Sequence, residues 1–310
     1  MPRLDTTTRV CVRLLPVSPL IPTRRRICVI YNPTAGGRRR RRFESVLALL
    51  AAEGCAVTLL ETGARGDAED FARGIDEAAF DAVAAAGGDG TINEIINGLG
   101  PKNLPLALVP LGTANVLAAE IGLVVNPRAI VESIVRGEVL PVYLGIINAR
   151  RFAMMAGIGF DARVVAHVDL RLKRALGKGA YVLSTLALLP RARPAAYRVE
   201  IDGARFAAAG IVIANGRYYG GRFVVAAEAR LAARQLHVAL FGRGARRDVL
   251  RYGAALLTGR IATLADVQIL TGTSVRIDGP EGERVQVDGD IAAALPLVVS
   301  VCERPIALLR

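Results

Sequence analysis

A chain of 310 residues is long enough for two domains with separate cores, and 52% hydrophobic residues with 22% charged mark an ordered globular protein. Forty Lys and Arg against 28 Asp and Glu leave a formal net charge of +12, a surplus that favours polyanions: nucleic acid, anionic membrane or phosphorylated ligands. Eight Phe, seven Tyr and no Trp supply few stacking platforms, so nucleic acid is not expected among the partners.

Residues 1–26, MPRLDTTTRVCVRLLPVSPLIPTRRR, carry an arginine and prolines inside their apolar patch and no clear cleavage site. They read as a poorly ordered extension rather than a signal peptide. From 27 to 136 the pattern alternates. Strand 27–31 meets the turn NPTAGG and a helix around 40–52, then strand 56–60 and a helix over 67–78. Strand 80–86 leads into GGDGTINEIING (87–98), where Ile92, Ile95, Ile96 and Leu99 fall on one helical face. Strand 104–110, the turn LGTAN and a further helix into AAEIG follow. Such alternation predicts a doubly wound α/β domain with a parallel sheet, whose ligands bind beyond the carboxyl ends of the strands. All three glycine-bearing turns lie at those ends and are expected to converge on one cleft. The run RRRRR (38–42) fans around its helix, so only one or two of its cations can face that cleft.

After about 137 short strands dominate, at 139–148, 151–156, 197–203, 206–214, 222–225, 235–241, 266–270, 274–278, 284–288 and 297–301. Turn signals punctuate them: DG at 202–203, 278–279 and 288–289, and NG at 215–216. Residues 137–310 therefore read as an antiparallel β sandwich, interrupted by helical stretches at 162–190 and 244–258. The last residues are free to pack back on the first domain. Cys11, Cys28, Cys55 and Cys302 show no paired spacing and His167 and His237 are the only histidines, so neither a zinc nor a disulfide framework is expected. A reducing cytoplasm is the simplest setting. The longest uncharged stretch, 103–119, is broken by Pro105, Pro110 and Gly112 and is no transmembrane helix.

The chemistry lies in the turns. Backbone N–H groups of Gly88, Gly90 and Thr91 can cradle phosphates at a helix N-terminus, with Thr91 as its N-cap. Asp89 would repel a triphosphate unless Mg²⁺, a ribose or a water network lies between. A tight turn without ligand is the bland alternative. GIGFDA (157–162) formally fits a dinucleotide fingerprint, but no acidic residue follows at the required distance. The segment 167–193 begins basic and ends Leu-rich; it reads either as a core helix with a solvated end or as a lid that meets anionic membrane.

YNPTAGG (31–37), GGDGTINEIINGL (87–99) and PLGTANVLAAEIG (110–122), with GIGFDA and VQVDGD (285–290), resemble the soluble lipid kinases that include bacterial diacylglycerol kinases, sphingosine kinases and ceramide kinase. The resemblance covers roughly 27–310. It implies a first domain that binds ATP, a β-rich domain that holds the lipid, and transfer of the γ-phosphoryl group to a lipid hydroxyl with Mg²⁺. It sets Asn32, Pro33 and Gly36 against the nucleotide, with Gly88, Asp89, Gly90, Thr91 and Glu94 of the second turn. Gly112, Thr113, Ala114 and Asn115 of the third turn join them, as does Asp290. Asn32 and Asn115 read equally well as an Asn-Pro turn and a helix N-cap.

Asp288 matches the family's general base, with Asp89 as the second catalytic carboxylate and a Mg²⁺ contact. Taken alone, the DG pair is a hairpin turn. Asp161 and Arg174 are implied at the acceptor site. The sequence departs from the family at Val116, where many diacylglycerol kinases have aspartate, at Ala232-Ala233-Arg234, which replace a DDG or NDG turn, and at Asp290, where glutamate is usual. A cytoplasmic enzyme held peripherally at membrane is implied, with a homodimer left open. GGDGT also suits an NAD kinase, and the departures suit a nucleotide- or lipid-binding regulator without turnover.

Overall fold

The structure, a computed structural model, describes residues 23–35, 39–160, 162–163 and 196–310. Parallel strands β1 (Arg26–Tyr31), β2 (Ala56–Glu61), β3 (Ala82–Gly87) and β4 (Leu106–Pro110) form the centre of the first sheet. Helices α1 (Arg40–Ala52), α2 (Asp67–Gly74), α3 (Asp89–Leu99), α4 (Val116–Glu120) and α5 (Pro127–Arg136) alternate with them. The period-two pattern of β1 explains the layering. Ile27 and Val29 pack with Phe43, Leu50 and Ile134 of α1 and α5, while Cys28 and Ile30 pack with Ala72, Ile92 and Ile95 of α2 and α3. Helix α2 stops at Gly74, short of the expected 78. Ile75 turns extended to bury its side chain, and the Asp76 carboxylate takes the Ala78 N–H in a local turn that competes with the helix.

β5 (Val139–Val142) belongs to the first sheet, and the expected strand 139–148 breaks where Tyr143 crosses to hydrogen-bond Leu231. Beyond it lie β6 (Gly145–Ile147), β7 (Arg150–Phe152), β8 (Met155–Ile158), β9 (Tyr197–Ile201), β10 (Ala204–Ala208) and β11 (Gly210–Ala214). The short ribbon β12 (Tyr218–Tyr219) and β13 (Phe223–Val224) precedes β14 (Leu236–Phe241), α6 (Arg246–Leu257), β15 (Val267–Gly272) and β16 (Ser274–Asp278). β17 (Arg284–Val287), β18 (Asp290–Ala294), β19 (Leu297–Val301) and β20 (Ile306–Leu309) complete the chain. Two six-stranded sheets, β10-β9-β16-β19-β6-β7 and β15-β14-β11-β8-β17-β18, enclose a core that includes Phe152, Tyr197, Ile213, Val238 and Val299. β20 returns to the first sheet, parallel to β4 and antiparallel to β5. β18 was invisible to patterning because DIAAA is an edge strand with mostly exposed residues.

β8 runs antiparallel to β11 and β17, so GIGFDA is no parallel βα dinucleotide fold. Cys28, Cys55 and Cys302 are free thiols, and no helix among the described residues is long and apolar enough to cross a membrane. His237 sits on β14 between Ala214 and Thr271, 3% exposed, its Nε2 without a hydrogen-bond partner among the described residues. Burial holds its pKa below the ordinary value against the pull of Glu228. The unfolded chain therefore takes up this proton first, and stability falls as the pH drops below about 6.5. Urea unfolding at pH 7.5 and 5.5 checks this: His237→Gln should flatten the pH slope, whose limit is about 1.4 kcal/mol per pH unit for one group.

Candidate active site

The second and third glycine turns meet the described part of the first, residues 32–35, at the carboxyl ends of β1, β3 and β4. Asn32 leaves β1 with its N–H on the Ala86 carbonyl and its amide on Thr91 Oγ1 at 3.0 Å; its Oδ1 accepts from the Thr34 N–H and hydroxyl. It is thus an Asx turn and a tie to the second turn at once. Helix α3 begins at Asp89 with Gly88 as N-cap. Thr91 is therefore not the cap; it is buried inside the first turn. The Leu111 and Gly112 N–H groups both donate to the Gly87 carbonyl. Gly88 and Gly112 touch backbone to backbone: a Cβ on Gly112 would lie 2.5 Å from the Gly88 Cα and 2.8 Å from Asn115 Oδ1. Gly90, in contrast, faces open space. Two glycines serve the contact between turns, and the third leaves room for a ligand.

Asp89 does not point freely at solvent. Its Oδ1 accepts the Val116 N–H at 2.7 Å and so caps α4, whose dipole favours the charge. Asn115, in left-handed conformation, returns its amide to the Gly112 carbonyl and makes no side-chain cap. Burial raises the Asp89 pKa, the Val116 N–H opposes this, and the charge of Asp288 adds to the rise. Arg39 and Arg42 of the five-arginine run hold the carbonyls of Leu111 and Pro110 from behind, while Arg40 pairs with Glu44 on the helix surface.

Asp288 occupies the β17–β18 turn with φ +48°, followed by Gly289 at +89°, so the hairpin reading of DG holds geometrically. Its carboxylate also has four donors. Oδ1 accepts from the Met154 and Met155 N–H groups at 2.9 and 3.0 Å; Oδ2 accepts from the Ala153 N–H at 2.7 Å and the Asn93 amide at 3.0 Å. The expected strand 151–156 breaks at 153–154 because these peptides turn their N–H groups to the carboxylate, a backbone anion nest. Asn215 holds the same two peptides from the other side. Its Nδ2 donates to the Ala153 carbonyl at 2.8 Å and its N–H to the Met154 carbonyl at 2.8 Å. Burial raises the Asp288 pKa, and the four donors oppose that rise.

Asn93 stands one turn after Asp89, so α3 of the first domain and the Asp288 turn of the second border one cleft of about 260 Å³. Gly90, Glu94, Arg151, Asp288 and Asp290 line it. Across its rim Arg65 pairs with Asp290 at 3.0 Å and Arg150 with Glu69 at 2.9 Å. Asn97 takes the Arg151 N–H and donates to its carbonyl. On the far side of α4, buried Glu120 accepts from Arg217 Nε at 3.0 Å and the Tyr218 N–H at 3.1 Å. Sequence reasoning missed Asn93 and Asn215. The visible signal for Asn93 was a neutral stripe, Asn93 and Asn97, on an otherwise apolar helix; Asn215 gave only the turn signal NG.

Pro33, Thr113 and Ala114 lie in the loops around this convergence, with Thr113 exposed. Gly36, Asp161, Arg174, the whole of 167–193 and all of 162–190 except Ala162 and Arg163 lie outside the described residues. Ala232, Ala233 and Arg234 lie in a loop before β14, and no group of three or more His, Cys, Asp or Glu suited to a metal occurs among the described residues. A Mg²⁺ ion carried in with phosphates would need only one or two protein carboxylates; α3 carries Asp89 and Glu94, of which Glu94 lines the cleft while Asp89 has one oxygen on the Val116 N–H.

The diacylglycerol kinase catalytic domain family matches residues 26–147, and the YegS C-terminal NAD kinase beta sandwich-like domain family matches residues 154–310. A diacylglycerol kinase of Bacillus subtilis (strain 168) is 28% identical over 281 residues, covering 88% of this chain and 92% of its own. One of Mycobacterium tuberculosis (strain ATCC 25618 / H37Rv) is 28% identical over 295 residues, covering 92% and 95%. The crystal structure of a diacylglycerol kinase from Bacillus anthracis str. Sterne shares the fold, with a TM-score of 0.75 at 23% identity over 92% of this chain and 97% of that one.

Proposed function

Because this chain belongs to the family that joins a diacylglycerol kinase catalytic domain to a YegS-type C-terminal β sandwich, a family of lipid kinases, we propose that it transfers the γ-phosphoryl group of ATP to the hydroxyl of a diacylglycerol-like lipid, with Asp288 as general base. One observation carries the reading: the Asn93 amide of the GGDGT helix donates to the Asp288 carboxylate, so a phosphate-type helix N-terminus and a carboxylate of the other domain open on the same cleft.

Phosphoryl transfer asks for position and charge neutralisation more than for covalent chemistry. The first-turn N–H groups of α3 at Gly90 and Thr91 receive phosphate oxygens where Gly90 leaves space. Asp89 or Glu94 would hold a Mg²⁺ ion brought in with ATP, which would supply charge neutralisation. At Asp288 both oxygens already accept two hydrogen bonds, three of the four from backbone that cannot turn away. The Asn93 amide is the one donor on a side chain. An acceptor hydroxyl that takes its place at Oδ2 gives its proton to that oxygen as its own oxygen attacks the γ-phosphorus, and the bond from that phosphorus to the β–γ bridging oxygen breaks to release ADP.

Burial raises the Asp288 pKa and so makes its carboxylate a stronger base than an ordinary aspartate. The rate should therefore fall on acidification with an apparent pKa above the ~3.9 of an ordinary aspartate. That value belongs to Asp288 and Asp89 together, since their charges interact. A pH profile of kcat/KM checks it; an acid limb at or below the ordinary range would remove the base. The reaction itself is tested with γ-labelled ATP, Mg²⁺ and micelles of diacylglycerol, sphingoid base or ceramide. Labelled phosphatidic acid is expected. No labelled lipid with any acceptor would overturn the proposal, and NADP formed from NAD would replace it with an NAD kinase.

A further inference from the structure

Helix α6 lies on the β15 side of the sandwich, and its inner face is set by Asp248, Tyr252 and Ala255, which turn toward the protein. At 100° per residue the opposite arc holds Arg246, Arg247, Leu250, Gly253, Ala254 and Leu257, every one exposed. Leu250 is 49% and Leu257 69% exposed, and being seven residues apart they share one stripe. No acidic residue stands on this arc; the helix's single carboxylate, Asp248, is buried. Arg246 and Arg247 occupy the first turn, where the helix dipole disfavours cations. Among the described residues they form no ion pair, and neither does exposed Arg260 beyond the other end, whereas Arg243 and Arg251 are engaged with Asp266.

We propose that this outward face of α6 is the surface by which the protein docks on an anionic bilayer. Leucines in the middle of the arc enter the boundary between headgroups and acyl chains, and the flanking arginines meet lipid phosphates. The charge pattern favours this occupant: cations at both ends, no carboxylate between, and an apolar centre that nucleic acid would leave wet. The lipid kinase reading enters only in the choice of occupant, because such an acceptor resides in the bilayer. α6 packs on the outer face of the β14–β15 end of the sheet that also holds β17, the strand before Asp288, so docking here places that end of the sandwich, rather than the first domain, next to the membrane.

Flotation of the full chain with vesicles of phosphatidylcholine containing 30% phosphatidylglycerol, and with pure phosphatidylcholine, tests it. Wild type should float with the anionic vesicles only. Leu250→Ser/Leu257→Ser and Arg246→Glu/Arg247→Glu should each weaken that binding about 10-fold or more. Val298→Ser, at an equally exposed apolar residue on β19, should bind as wild type. Circular dichroism melts of all variants should coincide, and phosphorylation of a detergent-dispersed acceptor should be unchanged. Binding of the leucine variant at wild-type strength, equal loss with Val298→Ser, or equal flotation of wild type with pure phosphatidylcholine would overturn the proposal. Vesicle binding through α6 with no kinase activity would sink the catalytic reading alone.

Discussion

If Asp288 is the general base, as proposed, Asp288→Asn should lower phosphoryl transfer by roughly 10²–10⁴-fold, the usual range for such a loss, while ATP should bind as in wild type. Asparagine is the replacement to use because position 288 has φ +48°, a conformation that Asn and Asp tolerate better than other residues. The exchange keeps the shape but puts an NH₂ where an oxygen accepted two hydrogen bonds. Either the Met154 and Met155 N–H groups or those of Ala153 and Asn93 then face a donor, and about 1–3 kcal/mol of stability goes with them. Asn93→Ala separates the two effects. It removes one donor and leaves the carboxylate, so its rate should stay far closer to wild type. Single-turnover rates with saturating ATP, together with calorimetric ATP affinity, decide the matter. A wild-type rate for Asp288→Asn on the true acceptor would take the base away from this residue.

Gly112→Ala should abolish measurable nucleotide binding and lower stability by about 1–3 kcal/mol, whereas Gly90→Ala should weaken binding with the fold intact. The new methyl at 112 meets the Gly88 Cα at 2.5 Å, a backbone atom that cannot rotate away, and Asn115 Oδ1 at 2.8 Å. The turns must separate, and with them the link from Asp89 to α4. At Gly90 the methyl meets nothing within 4 Å, and alanine inside a helix is favoured over glycine by about 1 kcal/mol. Its stability should hold or rise; only a ligand would notice it. Thermal melts beside ATP titrations separate the two. Undiminished ATP affinity in Gly90→Ala would mean that phosphate does not approach that turn.

The contrast between these glycines shows where the sequence was legible. Alternation of strand and helix up to 136 placed three turns at strand ends, because buried parallel strands read as short apolar runs. It could not say that Gly88 and Gly112 press on each other while Gly90 does not, since the same residue type answers a close backbone and an open cleft. Asp288 read as hairpin and as base, and the fold gives that residue the hairpin conformation and the interdomain contact together. Its nest was illegible. The donors are backbone N–H groups of Ala153, Met154 and Met155, aligned by Asn215 some sixty residues later, and side-chain patterns carry no record of which way a peptide faces. Thr91 misled in the other direction, since a threonine in a first turn looks like a cap until its half-buried partner, Asn32, is known.

The most direct measurement is a crystal structure of the protein with Mg²⁺ and a non-hydrolysable ATP analogue. The account predicts the γ-phosphate on the N–H groups of Gly90 and Thr91, inside the cleft that Asn93 and Asp288 border, with space between phosphorus and the Asp288 carboxylate for one hydroxyl. A nucleotide bound outside that cleft, or one whose γ-phosphate is separated from Asp288 by the body of α3, would contradict it.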